Sequence, residues 1–219
     1  LLASKVCGLK LKDVFRNIQK IKSVEGRLEL IRTLPNRSKI FLDYAHTPDA
    51  LENAILSLRE HFQKKITVLF GCGGERDKSK RKLMGNVAKK YCDKIYITDD
   101  NPRNENPKKI RKDIIKGLKG SNVKEIGSRK KAILYALKNS SPQEIILVAG
   151  KGHENYQDLG EKRVLISDRN IIQKFKTSII SNNKASNILK FNSKILKIII
   201  KSKKNYFFDG VSINSKKIK

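Results

Sequence analysis

Four short clusters in this sequence combine residue types suited to gripping a small charged ligand. They are Asp43-Tyr44-Ala45-His46-Thr47-Pro48-Asp49, Gly71-Cys72-Gly73-Gly74-Glu75-Arg76-Asp77, Asp99-Asp100-Asn101-Pro102-Arg103 and Gly150-Lys151-Gly152-His153-Glu154. Guanidinium groups such as those of Arg76 and Arg103 grip carboxylates in a bidentate fork, whereas Glu154 and Asp100 suit an ammonium. Taken singly, each cluster also has a structural reading. The glycines at 71, 73 and 74 suit a tight turn needing positive φ. Asn101-Pro102 suits a turn, Arg103 an ion pair with Asp99 or Asp100, and His46 a helix cap. Neither glycine loop ends in the Gly-Lys-Ser/Thr of a phosphate-cradling P-loop. His61 reads as an ordinary surface residue, and Arg27 in its turn carries no signal alone.

The elements that must position these clusters alternate. Strand-like runs occupy Lys39–Asp43, Ile66–Phe70, Lys94–Thr98, Val123–Ile126 and Ile145–Ala149. Between them, apolar residues recur at three-and-four spacing: Leu51, Ile55, Leu58 and Phe62, then Met84, Val87, Ala88 and Tyr91, then Ile110, Ile114 and Leu118. Thr47-Pro48 and Asn106-Pro107 each set a capping side chain before proline at a helix start. Continuous apolar strands alternating with amphipathic helices predict an α/β fold, doubly wound around a mainly parallel sheet. In such sheets ligands bind beyond the carboxyl ends of the strands, and each of the four clusters follows a strand.

Composition sets limits on function. Apolar residues make up 38% of the 219, enough for a core, and no apolar run nears the roughly 20 residues of a membrane span. No charged-then-apolar leader is evident, and the opening at Leu1 reads as that of a fragment. Cys7, Cys72 and Cys92 form neither a disulfide framework nor a zinc site, so no metal is expected and a reducing cytoplasm is. Lys and Arg number 49 against 21 acids, a formal net charge of +28. Eleven of those lysines fall from Lys176 onward, and the remaining positive charge is spread over every predicted helix. That scatter, without a recognition-helix or RNP-type signature, argues for solvated faces over nucleic-acid binding.

DYAHTPDAL, GCGGERDKSKR, DDNPR and AGKGHE, in this order and at this spacing, resemble the C-terminal part of the Mur ligases of peptidoglycan synthesis, in their diaminopimelate-adding branch. Gly26–Glu29 (GRLE) is similar to the family's junction between central and C-terminal domains, and the resemblance runs from about Val6 to Ile180. It implies a Rossmann-like C-terminal domain of an ATP-dependent ligase. That enzyme joins meso-diaminopimelate to UDP-N-acetylmuramoyl-L-alanyl-D-glutamate, through phosphorylation of a carboxylate and attack by the amine. It further implies Arg76, Asp100, Asn101, Pro102, Arg103, Gly150 and Glu154 as the diaminopimelate site, and Arg27, Asp43, Tyr44 and His46 near ATP or the domain interface. ATP and Mg2+ are expected to be held mainly by a central domain, leaving this chain inactive alone. No general base is evident. Glu75 and Ser79 stand where the family more often has Asp and Gly. The alternatives kept open are a related Mur or folylpolyglutamate-type ligase using another amino acid, and a basic nucleic-acid-binding module.

The expected organisation is the end of a central domain at 1–26, the amino-acid-binding domain at 27–180, and a basic linker at 181–205. At 206–219, Phe208-Asp209-Gly210-Val211-Ser212-Ile213-Asn214-Ser215-Lys216-Lys217-Ile218 is similar to the opening strand of a D-alanyl-D-alanine-adding Mur ligase, from whose pattern Asn214 and Lys216 depart. The alternative for that stretch is a basic disordered tail.

Overall fold

The structure, a computed structural model, describes residues 5–18, 20, 24–118, 120, 122–176, 206–208 and 211–213. The chain divides into two units, Leu1–Thr177 and Ser178–Lys219. In the first, α1 (Leu11–Ile18) precedes β1 (Glu29–Thr33), β2 (Lys39–Asp43), α2 (Pro48–Phe62), β3 (Ile66–Phe70), α3 (Ser79–Tyr91), β4 (Lys94–Ile97) and α4 (Pro107–Ile115). There follow β5 (Val123–Glu125), α5 (Arg129–Lys138), β6 (Ile145–Ala149), the hairpin β7 (Tyr156–Asp158) and β8 (Arg163–Leu165), and α6 (Asp168–Lys174). In the second unit, β9 (Tyr206–Phe208) and β10 (Val211–Ile213) pair antiparallel. The linker expected at 181–205 lies outside the described residues.

The main sheet has the order β1-β2-β6-β3-β4-β5, with β1 antiparallel and all other neighbours parallel. This order dictates where the helices go. Crossovers between parallel strands are right-handed, so the three steps from β2 to β5, advancing one way, lay α2, α3 and α4 on one face. The return from β5 to β6 runs the other way and lays α5 on the opposite face, where α6 joins it. Two cores result. Leu51, Ile55, Leu58, Met84, Ala88, Ile110 and Ile114 pack on Val68, Phe70, Ile97 and Leu147. Ala132, Ile133, Ala136, Leu137 and Ile172 pack on Ile40, Leu42, Leu69, Ile146 and Val148. Adjacent residues of one strand thus serve opposite cores, and all five residues of β3 and of β6 are buried. Each such Val, Leu or Ile side chain contributes roughly 1.5–3 kcal/mol by leaving water.

Both expected caps form. Thr47 Oγ1 accepts from Ala50 N at 3.3 Å, with Pro48 in the first turn, and Asn106 Oδ1 accepts from Lys108 N at 2.9 Å, with Pro107 there. They fix where the β2–α2 and β4–α4 loops stop, and so how much chain is left to reach over the strand ends. Ser128 and Ser167 cap α5 and α6 in the same manner.

Candidate functional site

The loops after β2, β3, β4 and β6 leave the carboxyl ends of adjacent parallel strands and meet. Their approach is backbone against backbone. A Cβ on Gly74 would fall inside the carbonyl oxygen of Pro102, while Gly74 N donates to Asn101 O at 2.9 Å. Gly71, Gly73 and Gly74 are not among the glycines at positive φ, contrary to the turn expected of them. The left-handed residue in that loop is Glu75, at φ 53°. The glycines are there for closeness: the second and third loops touch where any side chain would part them.

Arg103 lies at φ 52° in the left-handed region. Its N donates to Asp158 O at 3.0 Å, its Nη1 donates to Gly74 O at 2.7 Å, and its Nε stands 3.9 Å from Asp158 Oδ2. The ion pair expected with Asp99 or Asp100 does not form, because those carboxylates face other arginines: Asp99 meets Arg111, and Asp100 lies 3.9 Å from Arg129. Arg76 is exposed. A Cβ on Gly73 would sit 3.0 Å from Arg103 Nη1 and 3.7 Å from Arg76 Cγ, so both arginines flank one point of the rim.

Beside them lies a closed network. Asn101, 6% exposed, donates from Nδ2 to Glu154 Oε2 at 2.9 Å. Its Oδ1 accepts from Lys151 Nζ at 2.9 Å and from Asp158 N at 3.0 Å. Lys151 Nζ also donates to Glu154 Oε2 at 2.8 Å. Burial pushes the Glu154 carboxyl up, but the hydrogen bonds from Lys151 and Asn101 outweigh it and hold the group below its ordinary value. Asp100 orients the loop, with Oδ1 accepting Asn101 N at 2.7 Å, and Pro102 is buried. Gly150, at φ 109°, brings its backbone against Asp100 Oδ2. Behind Asp100, fully buried Arg129 donates to both oxygens of Asp168 and to Ala149 O.

The other expected residues gather separately. Arg27 stacks over the Tyr44 ring at 4.8 Å, His153 stacks on it at 5.6 Å, and His46 meets it edge-on at 4.8 Å. Asp43 takes no outward part: its two oxygens accept from Leu28 N and Ala45 N, each at 2.7 Å. His46 does not cap a helix. Its Nδ1 lies 2.9 Å from Tyr44 O. Gly152, at φ 49°, joins the two groups, lying against Tyr44 and Gly26 while its neighbour Lys151 reaches Asn101.

What sequence reasoning missed lies behind the rim. Hairpin β7–β8 locks the third loop: Gln157 Nε2 donates to Asp100 O at 2.5 Å, and Asp158 bonds both Asn101 and Arg103 through its backbone. Arg81, fully buried, donates through Nη1 and Nη2 to Glu105, each at 2.7 Å. Glu105 also accepts from Glu75 N at 3.2 Å, tying the second loop to the third.

Those Arg81 bonds hold the Glu105 carboxyl down at about 2, from an ordinary 4.5. A carboxyl depressed on folding stabilises fully above its ordinary value and ceases to as pH falls through its folded value. Stability is therefore expected to decline as pH drops from about 4.5 towards about 2. Glu105→Gln should flatten that limb. Urea midpoints of both proteins across the interval check this, and parallel limbs would show that Glu105 is not the group responsible.

Among the described residues no cluster of His, Cys, Asp or Glu could hold a metal ion, and no helix is long and apolar enough to cross a membrane. Burial pushes Cys72 and Cys92 up to about 12, which leaves both thiols protonated and inert. A cleft of about 880 Å³ runs between α5 and α6, lined by Leu134, Leu165, Ile171 and Phe175. Of the four loops only Asn155, at the edge of the last, lines it.

Residues 26–152, which include all four loops up to Gly152, match the family described as Mur ligase, glutamate ligase domain. A relative from Rickettsia montanensis, named UDP-N-acetylmuramoyl-L-alanyl-D-glutamate–2,6-diaminopimelate ligase, is 48% identical over 169 residues, 76% of this chain and 34% of its own. A relative of the same name from Haemophilus influenzae is 43% identical over 171 residues, 77% of this chain and 34% of its own. A solved structure of a ligase with that name superposes with a TM-score of 0.64 at 34% identity, covering 78% of this chain and 35% of that one. A UDP-N-acetylmuramate–alanine ligase from Thermotoga maritima shares the fold, with a TM-score of 0.52 at 22% identity, over 69% of this chain and 32% of that one. This chain spans about one third of the length of the curated relatives it matches. A doubly wound sheet whose strand ends carry these four loops, matched over more than half its length, makes this chain a member of the Mur ligase family.

Proposed function

We propose that this chain is the C-terminal, amino-acid-receiving part of an ATP-dependent ligase that adds meso-diaminopimelate to UDP-N-acetylmuramoyl-L-alanyl-D-glutamate. One observation carries the reading. Arg76 and Arg103 flank a single point of the rim, while the third and fourth loops hold Glu154 ionised beside them through Asn101 and Lys151. A rim that offers guanidinium at one place and carboxylate at another complements an amino acid with both carboxylates and ammonium groups. Diaminopimelate differs from lysine by one carboxylate, so a second arginine is the feature that tells them apart. Donors left unpaired by lysine would make the discrimination large.

In this reading ATP supplies the phosphoryl group that activates the D-glutamyl carboxylate. The amine of diaminopimelate attacks that acyl phosphate, the C–N bond forms through a tetrahedral intermediate, and inorganic phosphate leaves. This chain's residues bind and orient. Arg76 and Arg103 fix the carboxylates of diaminopimelate, Glu154 takes its distal ammonium, and Asp100, Asn101, Pro102 and Gly150 shape the cradle. The rate gain they provide is one of position and charge compensation. Arg27, Tyr44 and His46, with His153, fit the nucleotide side as a flat aromatic surface with a cation beside it. Asp43 holds that loop. Mg2+ and the ATP phosphates belong to the portion of the relatives beyond this chain, and the setting is the cytoplasm. The β9–β10 ladder supports reading residues 206–219 as the opening of a further domain, beyond a linker at 181–205. A stop codon shortly after Lys219 in the parent reading frame would overturn that.

Titrating the isotope-labelled chain with meso-diaminopimelate, lysine and a short DNA duplex tests the assignment. Amide shifts at loops 71–77, 99–103 and 150–154 with diaminopimelate alone are expected. Equal response to lysine would refute the assignment of Arg103, and a response to DNA alone would move the function to the basic surface.

A further inference from the structure

Lys151 is the one lysine among the described residues with no exposed surface, and the reading above gives it no part in selecting one end of the ligand. Burying an ammonium is costly unless its hydrogens are taken up by acceptors, so a fully enclosed lysine has a task. Its Nζ meets Asn101 Oδ1 at 2.9 Å and Glu154 Oε2 at 2.8 Å, and it stands 5.5 Å from the centre of the Tyr156 ring. Asn101 closes the triangle by donating Nδ2 to the same Glu154 oxygen at 2.9 Å. Both donors that reach the Glu154 carboxylate therefore converge on Oε2. Glu154 Oε1 has no partner among the described residues, although the side chain is 19% exposed.

The amide orientation of Asn101 follows from the same cation. An ammonium only donates, so it must face Oδ1, and this turns Nδ2 towards Glu154. Asp158 N, which donates to Oδ1, and the Glu154 carboxylate, which accepts from Nδ2, favour the same orientation, and Lys151 adds the charge that binds both groups at once. Lys151 also joins separate parts of the rim, since Asn101 belongs to the loop after β4 and Glu154 to the loop after β6, strands with β3 between them.

We propose that Lys151 is a positioning residue: its buried ammonium locks Asn101 and Glu154 into one arrangement that keeps Glu154 Oε1 open to the distal ammonium of an amino-acid ligand. The proposal rests on the reading above and specifies which half of the ligand Lys151 governs. Loss of Lys151 should weaken recognition of the ammonium and leave recognition of the carboxylates, made by Arg76 and Arg103, largely as it was.

Calorimetric titration of the 219-residue chain with meso-diaminopimelate and with 2-aminopimelate separates the two halves, because 2-aminopimelate keeps both carboxylates and lacks one amine. The wild-type chain is expected to prefer meso-diaminopimelate by roughly tenfold or more, the scale of a charged hydrogen bond. In Lys151→Met, which fills the same space without charge, that preference should shrink towards unity while 2-aminopimelate binds about as before. In a Glu154→Gln background, Lys151→Met should alter the preference no further. Equal loss for both ligands, or a preserved preference in Lys151→Met, would overturn the role of Lys151 and leave the diaminopimelate reading standing. Absence of meso-diaminopimelate binding by the wild-type chain would overturn that reading itself. Should Lys151→Met fail to fold, carbon-13 titration of the Glu154 carboxyl in the wild-type chain decides. Titration below the ordinary carboxylate range supports the network, and titration at or above it refutes the network.

Discussion

Asp168→Ala is expected to destabilise the Leu1–Thr177 unit by about 3–5 kcal/mol, the cost of leaving a buried charge without its partner. Both Arg129 and Asp168 are fully buried, and three hydrogen bonds of 2.7–3.0 Å join them. Burial works against the Arg129 charge, but Asp168 and Asp100 outweigh it and keep the guanidinium protonated well above neutrality. With Asp168 gone, the guanidinium retains Ala149 O at 2.9 Å and faces Asp100 only at 3.9 Å. Its Nη1 has no hydrogen-bond partner to begin with. The penalty comes from the stranded charge, not from lost attraction. Asp168→Ala combined with Arg129→Met should therefore recover much of the stability lost in the single variant. Urea unfolding of both singles and the double gives the coupling. A loss below about 1 kcal/mol in Asp168→Ala would show that water reaches the pair.

Arg103→Gly separates binding from scaffold. A non-glycine residue at φ 52° carries about 1 kcal/mol of backbone strain, which glycine relieves. Against this stands the lost hydrogen bond from Nη1 to Gly74 O, roughly 0.5–3 kcal/mol depending on how far water reaches it. The two oppose each other, so folding stability should change by no more than about 2 kcal/mol. Affinity for meso-diaminopimelate should fall on the order of 100-fold, since a carboxylate loses its fork. Arg103→Lys, which keeps the charge and the strained backbone, should lose most of that affinity as well. Unfolding of Arg103→Gly at ambient temperature would show instead that the side chain is a structural strut. Unaltered affinity would remove Arg103 from the site.

How far the sequence reveals this molecule depends on where each element takes its stability from. KIFLD, ITVLF and IILVA are strands because both faces of the sheet are covered, and their continuous apolar runs announce it; β2, β3 and β6 span those residues. Strand β1 is half-exposed at an edge, and ELIRT carries no comparable pattern. The β7–β8 hairpin has no apolar signature, since it is held by Gln157 and Asp158 reaching into the neighbouring loop. Rim residues were legible because four unusual clusters follow four strands, and because their motifs resemble a known family. The groups that hold the rim were not. Arg81 pairs with an acid 24 residues on and Arg129 with one 39 residues on, and in a lysine-rich chain no local feature sets those arginines apart. Lys151 was hidden for the opposite reason: between two glycines it reads as part of a flexible turn, whereas the fold encloses it completely.

Gly26 and Gly152 press together so tightly that a Cβ on Gly26 would lie 2.5 Å from His153 N and 2.9 Å from the Gly152 carbonyl carbon. Around this contact Gly26 N is tied to Glu29 at 2.8 Å, Glu29 to Arg169 at 2.6 Å, and Leu28 N to Asp43 at 2.7 Å. In mechanical terms, the stretch leading into β1 is a fitted joint and not a tether. Any side chain at Gly26 would have to displace the backbone of residues 152 and 153, the segment that carries Lys151 into its network with Asn101 and Glu154.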